Sequence, residues 1–233
     1  MWGRAACVTT TRDVPTPDAA ERKSPAALRA RGGAGLLAVS ALLVLSAAIA
    51  LMAGLGRQPA VPVLGQVPGF DLVERSGRTL GLEALEGRAW VADFIFTSCA
   101  GVCPAMTARM ARLRHEVPPE VRLVSFTVDP GHDTPDVLAD YARGFGADST
   151  WLFLTGPRDA IHDLATDGFK LAALELPPGE QSADGPFLHS SKFVLVDARA
   201  RIRGYYDSAD EQAMTALGAD LARVVAEPAP EAP

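Results

Sequence analysis

The clearest pattern in the chain is a long apolar stretch near the N-terminus, followed much later by short apolar runs. No charged residue lies between Arg31 and Arg57, and Leu36 to Leu55 is apolar almost throughout. A helix needs about 20 such residues to cross the hydrocarbon core of a bilayer. The stretch has no polar face at the helical period, which argues against a helix lying flat on a membrane. We therefore predict one transmembrane signal anchor at 35–56, rather than a buried helix or a cleaved signal peptide.

The charges on either side of this stretch predict the side of the membrane on which each part lies. Basic residues outnumber acidic ones up to Arg31, and acidic residues outnumber basic ones from Arg57 onward. Because positively charged flanks stay cytoplasmic, we expect residues 1–34 to be a disordered cytoplasmic tail and the remainder to be exported. The expected location is the bacterial inner (cytoplasmic) membrane, single-pass, with the C-terminal domain in the periplasm. The net charge of −6 argues against nucleic-acid binding, which requires clustered positive charge.

After the apolar stretch, the sequence predicts a linker, one globular domain and a short tail. Residues 57–69 contain three prolines and are typical of a semi-extended linker. Residues 70–226 are enough for one domain with its own core, and no internal repeat is present. Residues 227–233 are expected to be a disordered tail.

Within 70–226, short β-rich runs alternate with segments of helical period. A β-hairpin is predicted around Ser76-Gly77, where alternating apolar and polar residues flank a turn. Strands are predicted at 90–96, 121–128, 151–155 and 192–197, and helices from Pro104, from Pro135, at Arg158–Phe169 and at Asp210–Ala226. This alternation with short connections predicts an α/β sandwich, in which a mostly parallel sheet is covered on both faces.

Candidate chemistry is concentrated at Cys99 and Cys103, where a predicted strand meets a helix whose first turn accommodates Pro104. Their i, i+4 spacing puts both side chains on one face, with β-carbons about 5–6 Å apart. The positive end of the helix dipole is expected to lower the pKa of these thiols. Thiolates serve both soft-metal binding and disulfide exchange. Cys7 precedes the predicted membrane span and is not expected to pair with them.

A mononuclear site on two thiolates needs a third donor, most often imidazole. Two thiolates favour Cu(I), zinc or iron–sulfur chemistry, and without a second cysteine pair in the domain a four-thiolate site is excluded within one chain. His115 and His162 are expected on helices, away from the cysteines. His132, in a loop after a strand, is a weaker candidate than His189, which immediately precedes a strand.

Four segments together resemble the Sco/SenC family of membrane-anchored, thioredoxin-like copper proteins. They are FIFTSCAGVCP, SFTVDPGHDTPDVLADYARGFGAD, WLFLTG and HSSKFVLVDARARIRGYYD, in the order and spacing of that family. The resemblance implies a thioredoxin-like three-layer sandwich with an N-terminal β-hairpin, preceded by one transmembrane helix. It also implies one copper ion per chain, as Cu(I) or Cu(II), bound by Cys99, Cys103 and His189, and a reversible disulfide between the two cysteines. The stretch before His189 departs from the family pattern, because it is rich in proline and glycine and lacks the usual Val-Asp.

The resemblance further implies a metallochaperone that delivers copper to the CuA site of cytochrome c oxidase subunit II. The expected partners are that subunit or another copper chaperone. The alternative is a thiol–disulfide oxidoreductase that keeps the CuA-site cysteines reduced, for which Cys99 and Cys103 would be catalytic. Three residues between the cysteines, where thioredoxin-type redox pairs have two, favour metal binding. A carrier is therefore expected rather than an enzyme in the turnover sense.

Residues near the cysteines carry further expectations. Asp129 and Asp133 are candidates to hold the copper loop or to orient His189. Asp133 is equally placed to cap the helix that starts near Pro135. Met106 and Met110 have helical spacing and are expected in the core rather than on copper.

Overall fold

The computed structural model describes residues 39–48, 59–171, 173–175 and 187–228. Residues 39–48 are helical. Across the described ranges, no helix is both long and apolar enough to cross a membrane. The predicted tail at 1–34, Cys7 within it, and residues 229–233 lie outside the described residues, as does the predicted span 35–56 apart from 39–48.

Ten strands are present in the described part of the domain, eight of them in one sheet. Their bounds are β1 Gly65–Gln66, β2 Asp71–Glu74, β3 Thr79–Gly81, β4 Trp90–Ile95, β5 Arg122–Thr127, β6 Trp151–Thr155, β7 Ala173–Glu175, β8 Phe187–His189, β9 Lys192–Val196 and β10 Arg201–Asp207. The order in the large sheet is β1-β10-β9-β4-β5-β6-β2-β3, and β7 pairs with β8 separately. Only β4, β5 and β6 run parallel to one another; the other pairings are antiparallel. The predicted hairpin is confirmed as β2 and β3.

Helices cover both faces of this sheet. They are α1 Val102–Glu116, α2 Pro135–Gly144, α3 Arg158–Asp163 and α4 Glu211–Val225, with a 3₁₀ turn at Leu82–Ala84 and a π-helical turn at Leu164–Gly168. Because α1 and α2 are successive crossovers between adjacent parallel strands, right-handedness puts them on the same face. Thr107 of α1 lies 2.9 Å from the Tyr141 hydroxyl of α2, and Arg109 of α1 donates to Glu211 of α4 at 2.5 Å.

The opposite face is covered by the segment after α3. The predicted helix Arg158–Phe169 ends at Asp163 and continues as the π-helical turn, which places Phe169 in the core. The Phe169 ring contacts the rings of Trp90 and Phe94 at centroid distances of 6.0 and 5.2 Å. The architecture is therefore the predicted three-layer α/β sandwich. The prediction of a mostly parallel sheet is wrong, because only two of the seven neighbouring strand pairs in the large sheet are parallel.

The segment predicted as a linker lies along β10. Leu64 N–H donates to the Ile202 carbonyl at 2.8 Å, and Val61 and Val67 are buried. Arg203 donates from Nη2 to the Val61 carbonyl at 2.6 Å. Residues 59–69 thus contribute β1 and two core side chains to the domain, instead of forming a linker outside it.

The position of β4 sets the position of the cysteines. All six residues of β4 are buried, because the strand is central in the sheet and covered on both faces. The strand ends at Ile95, and the chain then turns toward α1. Since β4 and β5 are parallel, the loops that follow them meet at the same edge of the sheet, where ligands bind in open α/β sheets.

Candidate metal centre

Cys99 and Cys103 lie together at the carboxyl end of β4, as predicted. Cys99 is in the turn, where its N–H donates to the Phe96 carbonyl at 3.3 Å, and Cys103 is in the first turn of α1. Both are thiols, and their residues are only 5% and 0% exposed. Ser98 and Ala100 on either side of Cys99 are exposed. The two cysteine side chains therefore lie beneath a surface turn and are not exposed to solvent.

Burial has the largest effect on the pKa of the Cys103 thiol. Burial raises the pKa of the Cys103 thiol, and a hydrogen bond with Cys99 and the charge of Asp93 raise it further. A backbone hydrogen bond at Phe96 acts in the opposite direction without cancelling the rise. The prediction that the helix N-terminus lowers the thiol pKa is wrong for Cys103. The free energy of removing a thiolate from water exceeds the stabilisation that the helix dipole gives it. Metal binding at this cysteine therefore has to displace a proton.

A buried carboxyl group, Asp93, lies in β4 on the same side as α1. Asp93 is 0% exposed, and no described donor makes a hydrogen bond to either of its oxygens. Burial raises the pKa of Asp93 to about 7, an effect that the nearby hydroxyl of Ser125, its register partner on β5, partly offsets. Sequence reasoning missed this residue, although a single acidic side chain in the apolar run 90–96 was a visible signal.

A second buried carboxyl group, Asp133, links the ends of β4 and β5. Its Oδ2 accepts from the Thr97 N–H at 3.0 Å and from the Thr127 hydroxyl at 2.5 Å. Its Oδ1 accepts from the Thr97 hydroxyl at 2.5 Å and lies 2.8 Å from His132 Nδ1. This carboxyl group is fully buried and binds the residue two positions before Cys99.

These bonds decide between the two roles predicted for Asp133. The cap of α2 is Thr134, whose side chain accepts from the Val137 N–H at 3.4 Å, so the prediction of an Asp133 cap is wrong. The hydrogen bonds of Asp133 agree with the other role, that of holding the loop. Asp129 helps to hold the same loop through its backbone, since its carbonyl accepts from the N–H groups of His132 and Asp133 at 3.1 and 2.9 Å. Burial raises the pKa of the Asp129 side chain, and the neighbouring Asp133 adds to the effect.

The histidines with described side chains do not complete a metal site. The His132 side chain is 55% exposed, and its hydrogen bond to Asp133 raises its pKa. His115 and His162 are exposed on α1 and α3, as predicted. Over the residues that the structure describes, no three His, Cys, Asp or Glu side chains lie close enough to hold a metal ion. Met106 and Met110 are core residues, as predicted.

The side chain of His189 lies outside the described part of the structure, but its backbone position is informative. His189 is the last residue of β8 and pairs with Ala173 of β7. The next strand, β9, runs antiparallel to β4 with Ala92 opposite Val194. Extending this register backward along the chain directs the residues before Lys192 toward the carboxyl end of β4. The topology thus leads the His189 segment to the edge that carries the cysteines.

A buried dithiol at the carboxyl end of the central strand of a three-layer α/β sandwich defines a thioredoxin-like thiol protein. The family model SCO1/SenC matches residues 65–226. The SCO1 protein homolog of Bacillus subtilis is 35% identical over 160 residues, which cover 66% of this chain and 80% of that protein. The chain belongs to the SCO1/SenC family.

Two solved structures extend the comparison. One is BsSco, described as a member of the Sco family of cytochrome c oxidase assembly proteins with a disulfide switch. It is 30% identical with a TM-score of 0.61, and the match covers 73% of this chain and 100% of that one. Bradyrhizobium japonicum ScoI, solved with copper bound, is 22% identical with a TM-score of 0.52, covering 68% of this chain and 99% of that one. At that identity, the second likeness shows the fold alone.

Proposed function

We propose that this protein is a copper carrier for cytochrome c oxidase assembly, which delivers copper to the CuA site of subunit II. One copper ion is held by Cys99, Cys103 and His189 as cargo. The observation that carries the proposal is the buried dithiol at the carboxyl end of β4, toward which the register of β9 directs the His189 segment.

The chemistry of this donor set fits copper. Two thiolates are soft ligands that favour Cu(I), and an imidazole makes Cu(II) tolerable as well. A copper ion with only three ligands leaves one side of its coordination sphere open to the ligands of a partner protein. Copper can therefore pass to that partner by ligand exchange. Membership of the SCO1/SenC family and the description of BsSco as a member of a family of cytochrome c oxidase assembly proteins support this choice of pathway.

The proposal places the domain on the periplasmic side of a bacterial inner membrane, anchored by residues 35–56. Its support is the uncharged stretch between Arg31 and Arg57 and the basic excess that precedes it. Residues 39–48 are helical, with Leu42 and Val44 66% and 69% exposed. Fusion of a periplasm-dependent reporter after Pro233 tests the orientation, and an active cytoplasmic reporter at that position contradicts it.

The test of the metal site is a titration of the reduced full-length protein with Cu(I) and Cu(II) in detergent. One equivalent is expected, with a thiolate-to-copper charge-transfer band for Cu(II). Cys99→Ser and Cys103→Ser should each abolish the band, and His189→Ala should weaken Cu(II) binding by about tenfold or more. His115→Ala is the matched control, because that imidazole is exposed on α1. Unchanged Cu(II) affinity in His189→Ala contradicts the assignment of that ligand.

The second candidate function is reduction of the CuA-site cysteines. It is favoured by two thiols held side by side at one turn and by the disulfide switch of BsSco. The reduction potential of the Cys99–Cys103 pair tests it in a glutathione titration without copper. A potential too oxidising to reduce the partner's disulfide eliminates this function and leaves the carrier role standing.

A further inference from the structure

We propose that Asp133 is the positioning residue of the dithiol, because its side chain fixes the point at which the chain leaves β4 and thereby places Cys99 against Cys103. The inference rests on the proposed function of this cysteine pair and deepens it. It assigns to Asp133 neither a metal-ligand role nor a proton-transfer role.

The hydrogen bonds of Asp133 begin where those of the sheet end. The last paired residues of β4 and β5 are Ile95 and Thr127, and the Val128 N–H still donates to the Ile95 carbonyl at 2.8 Å. Beyond that bond, the Thr97 N–H donates to Asp133 Oδ2 at 3.0 Å. The Asp133 side chain therefore takes the place of a sheet partner for Thr97, which lies two residues before Cys99.

The same carboxyl group is anchored on the other strand. Thr127 donates its hydroxyl to Asp133 at 2.5 Å and accepts from the Asp129 N–H at 3.0 Å. The Asp133 N–H in turn donates to the Asp129 carbonyl at 2.9 Å. Thr97 is thus tied by its N–H and its hydroxyl to a group that is itself fixed to β5, so the backbone before Cys99 has little freedom.

Apart from its backbone hydrogen bond at Phe96, Cys103 is held by contacts of α1. Its carbonyl accepts from the Thr107 hydroxyl at 2.9 Å within α1, and Thr107 lies 2.9 Å from the Tyr141 hydroxyl of α2. None of these bonds involves Asp133. Loss of the Asp133 contacts should therefore displace Cys99 relative to Cys103 and change the geometry of the pair, while α1 stays in place.

The experiment compares Asp133→Asn with Thr134→Ala in the full-length protein in detergent. The asparagine side chain has the same size but presents an amide N–H₂ to donors that need an acceptor. Thr134→Ala removes the adjacent cap of α2, a structural loss that leaves Thr97 bound. The first readout, without copper, is the equilibrium between the Cys99–Cys103 disulfide and glutathione. The second is the thiolate-to-Cu(II) charge-transfer band.

For Asp133→Asn we expect the disulfide to become easier to reduce by about tenfold, because a displaced Cys99 has a lower effective concentration at Cys103. The charge-transfer band should shift or weaken. Thr134→Ala should leave both readouts at their wild-type values, although its melting temperature falls. If Asp133→Asn does not fold, Thr97→Val, which removes the hydroxyl and keeps the backbone N–H, should shift both readouts in the same direction by a smaller factor.

The outcomes separate the two proposals. Absence of a charge-transfer band in the wild-type protein contradicts the copper function, and the role of Asp133 is then decided by the glutathione equilibrium alone. A folded Asp133→Asn protein with the wild-type equilibrium overturns the positioning role, whatever its copper binding. A folded Thr97→Val protein with unchanged readouts overturns it in the same way.

Discussion

Replacing Asp93 by asparagine should stabilise the domain at neutral and alkaline pH and have little effect near pH 4. Asp93 is fully buried in β4, and no described donor bonds either of its oxygens. The uncharged acid and the amide are similar in size and polarity, so the substitution mainly removes the ability of the side chain to ionise. The free energy of unfolding of the two proteins should therefore differ only where the wild-type carboxyl group is driven to ionise.

The magnitude follows from the pKa of Asp93, which burial raises from 3.8 to about 7. The unfolded chain loses this proton near pH 4, whereas the folded protein keeps it until about pH 7. Because the folded state binds more protons in this interval, wild-type stability falls as the pH rises from about 4 to 7 and then levels off. A shift of roughly 3 units corresponds to about 4 kcal/mol above pH 7, at 1.36 kcal/mol per unit. That is a large part of the 5–15 kcal/mol that is typical of a whole domain.

The measurement is urea denaturation of the reduced, copper-free protein at several pH values from 4 to 8. The quantity of interest is the free energy of unfolding of Asp93→Asn minus that of the wild type, because all other titrating groups cancel in this difference. It should rise from near zero at pH 4 to a plateau above pH 7. Asp71→Asn is the matched control, since Asp71 is an exposed residue of β2. A difference that is flat across the pH range refutes the argument from burial.

Three further predictions concern other side chains. Arg203→Ala should lower the free energy of unfolding by about 3–5 kcal/mol in urea, because it leaves the buried Asp197 carboxyl group without one of its cationic partners. Arg143→Ala, which breaks an exposed ion pair on α2, should cost less than about 1 kcal/mol. The pKa of His132, followed by NMR, should lie above 6.5 and fall in Asp133→Asn, since the hydrogen bond to that carboxyl group raises it. A His132 pKa that does not respond to Asp133→Asn contradicts this pairing.

The strands and helices were largely predictable because each has a local signature. Apart from Asp93, the run 90–96 is apolar on both sides, as a strand buried on both faces requires, and β4 occupies nearly all of it. The end of the helix predicted at 158–169 was not predictable, because a π-helical turn keeps the apolar spacing that extends the pattern to Phe169. Val61 in the predicted linker is buried because this segment packs along β10. The prolines of the segment indicate an extended chain, but they do not indicate which strand it packs against.

In the site, likewise, features set by neighbouring residues are predictable from the sequence, and features set by the packing of distant segments are not. The positions of Cys99 and Cys103 follow from a strand, a turn and a proline in one short motif. The acidity of Cys103 does not, because it depends on burial by the rest of the domain, and the helix dipole alone predicts the wrong direction. The sequence alone leaves the role of Asp133 open between a helix cap and a loop contact, since the choice depends on Thr97, which is distant along the chain.

The carboxyl edge of the sheet explains why these groups occur together. Parallel pairing brings the end of β4, with Thr97 and Cys99, beside the end of β5, which leads to Asp133. Antiparallel pairing of β9 on the other side of β4 directs the segment of His189 to the same edge. Strand order alone thereby leads three segments that are far apart in sequence to one edge: the first carries the dithiol, the second carries a buried carboxyl acceptor, and the third precedes β9 and contains the proposed ligand His189. Strand order supplies the juxtaposition, and Asp133 then supplies the fixed backbone that a defined sulfur pair requires.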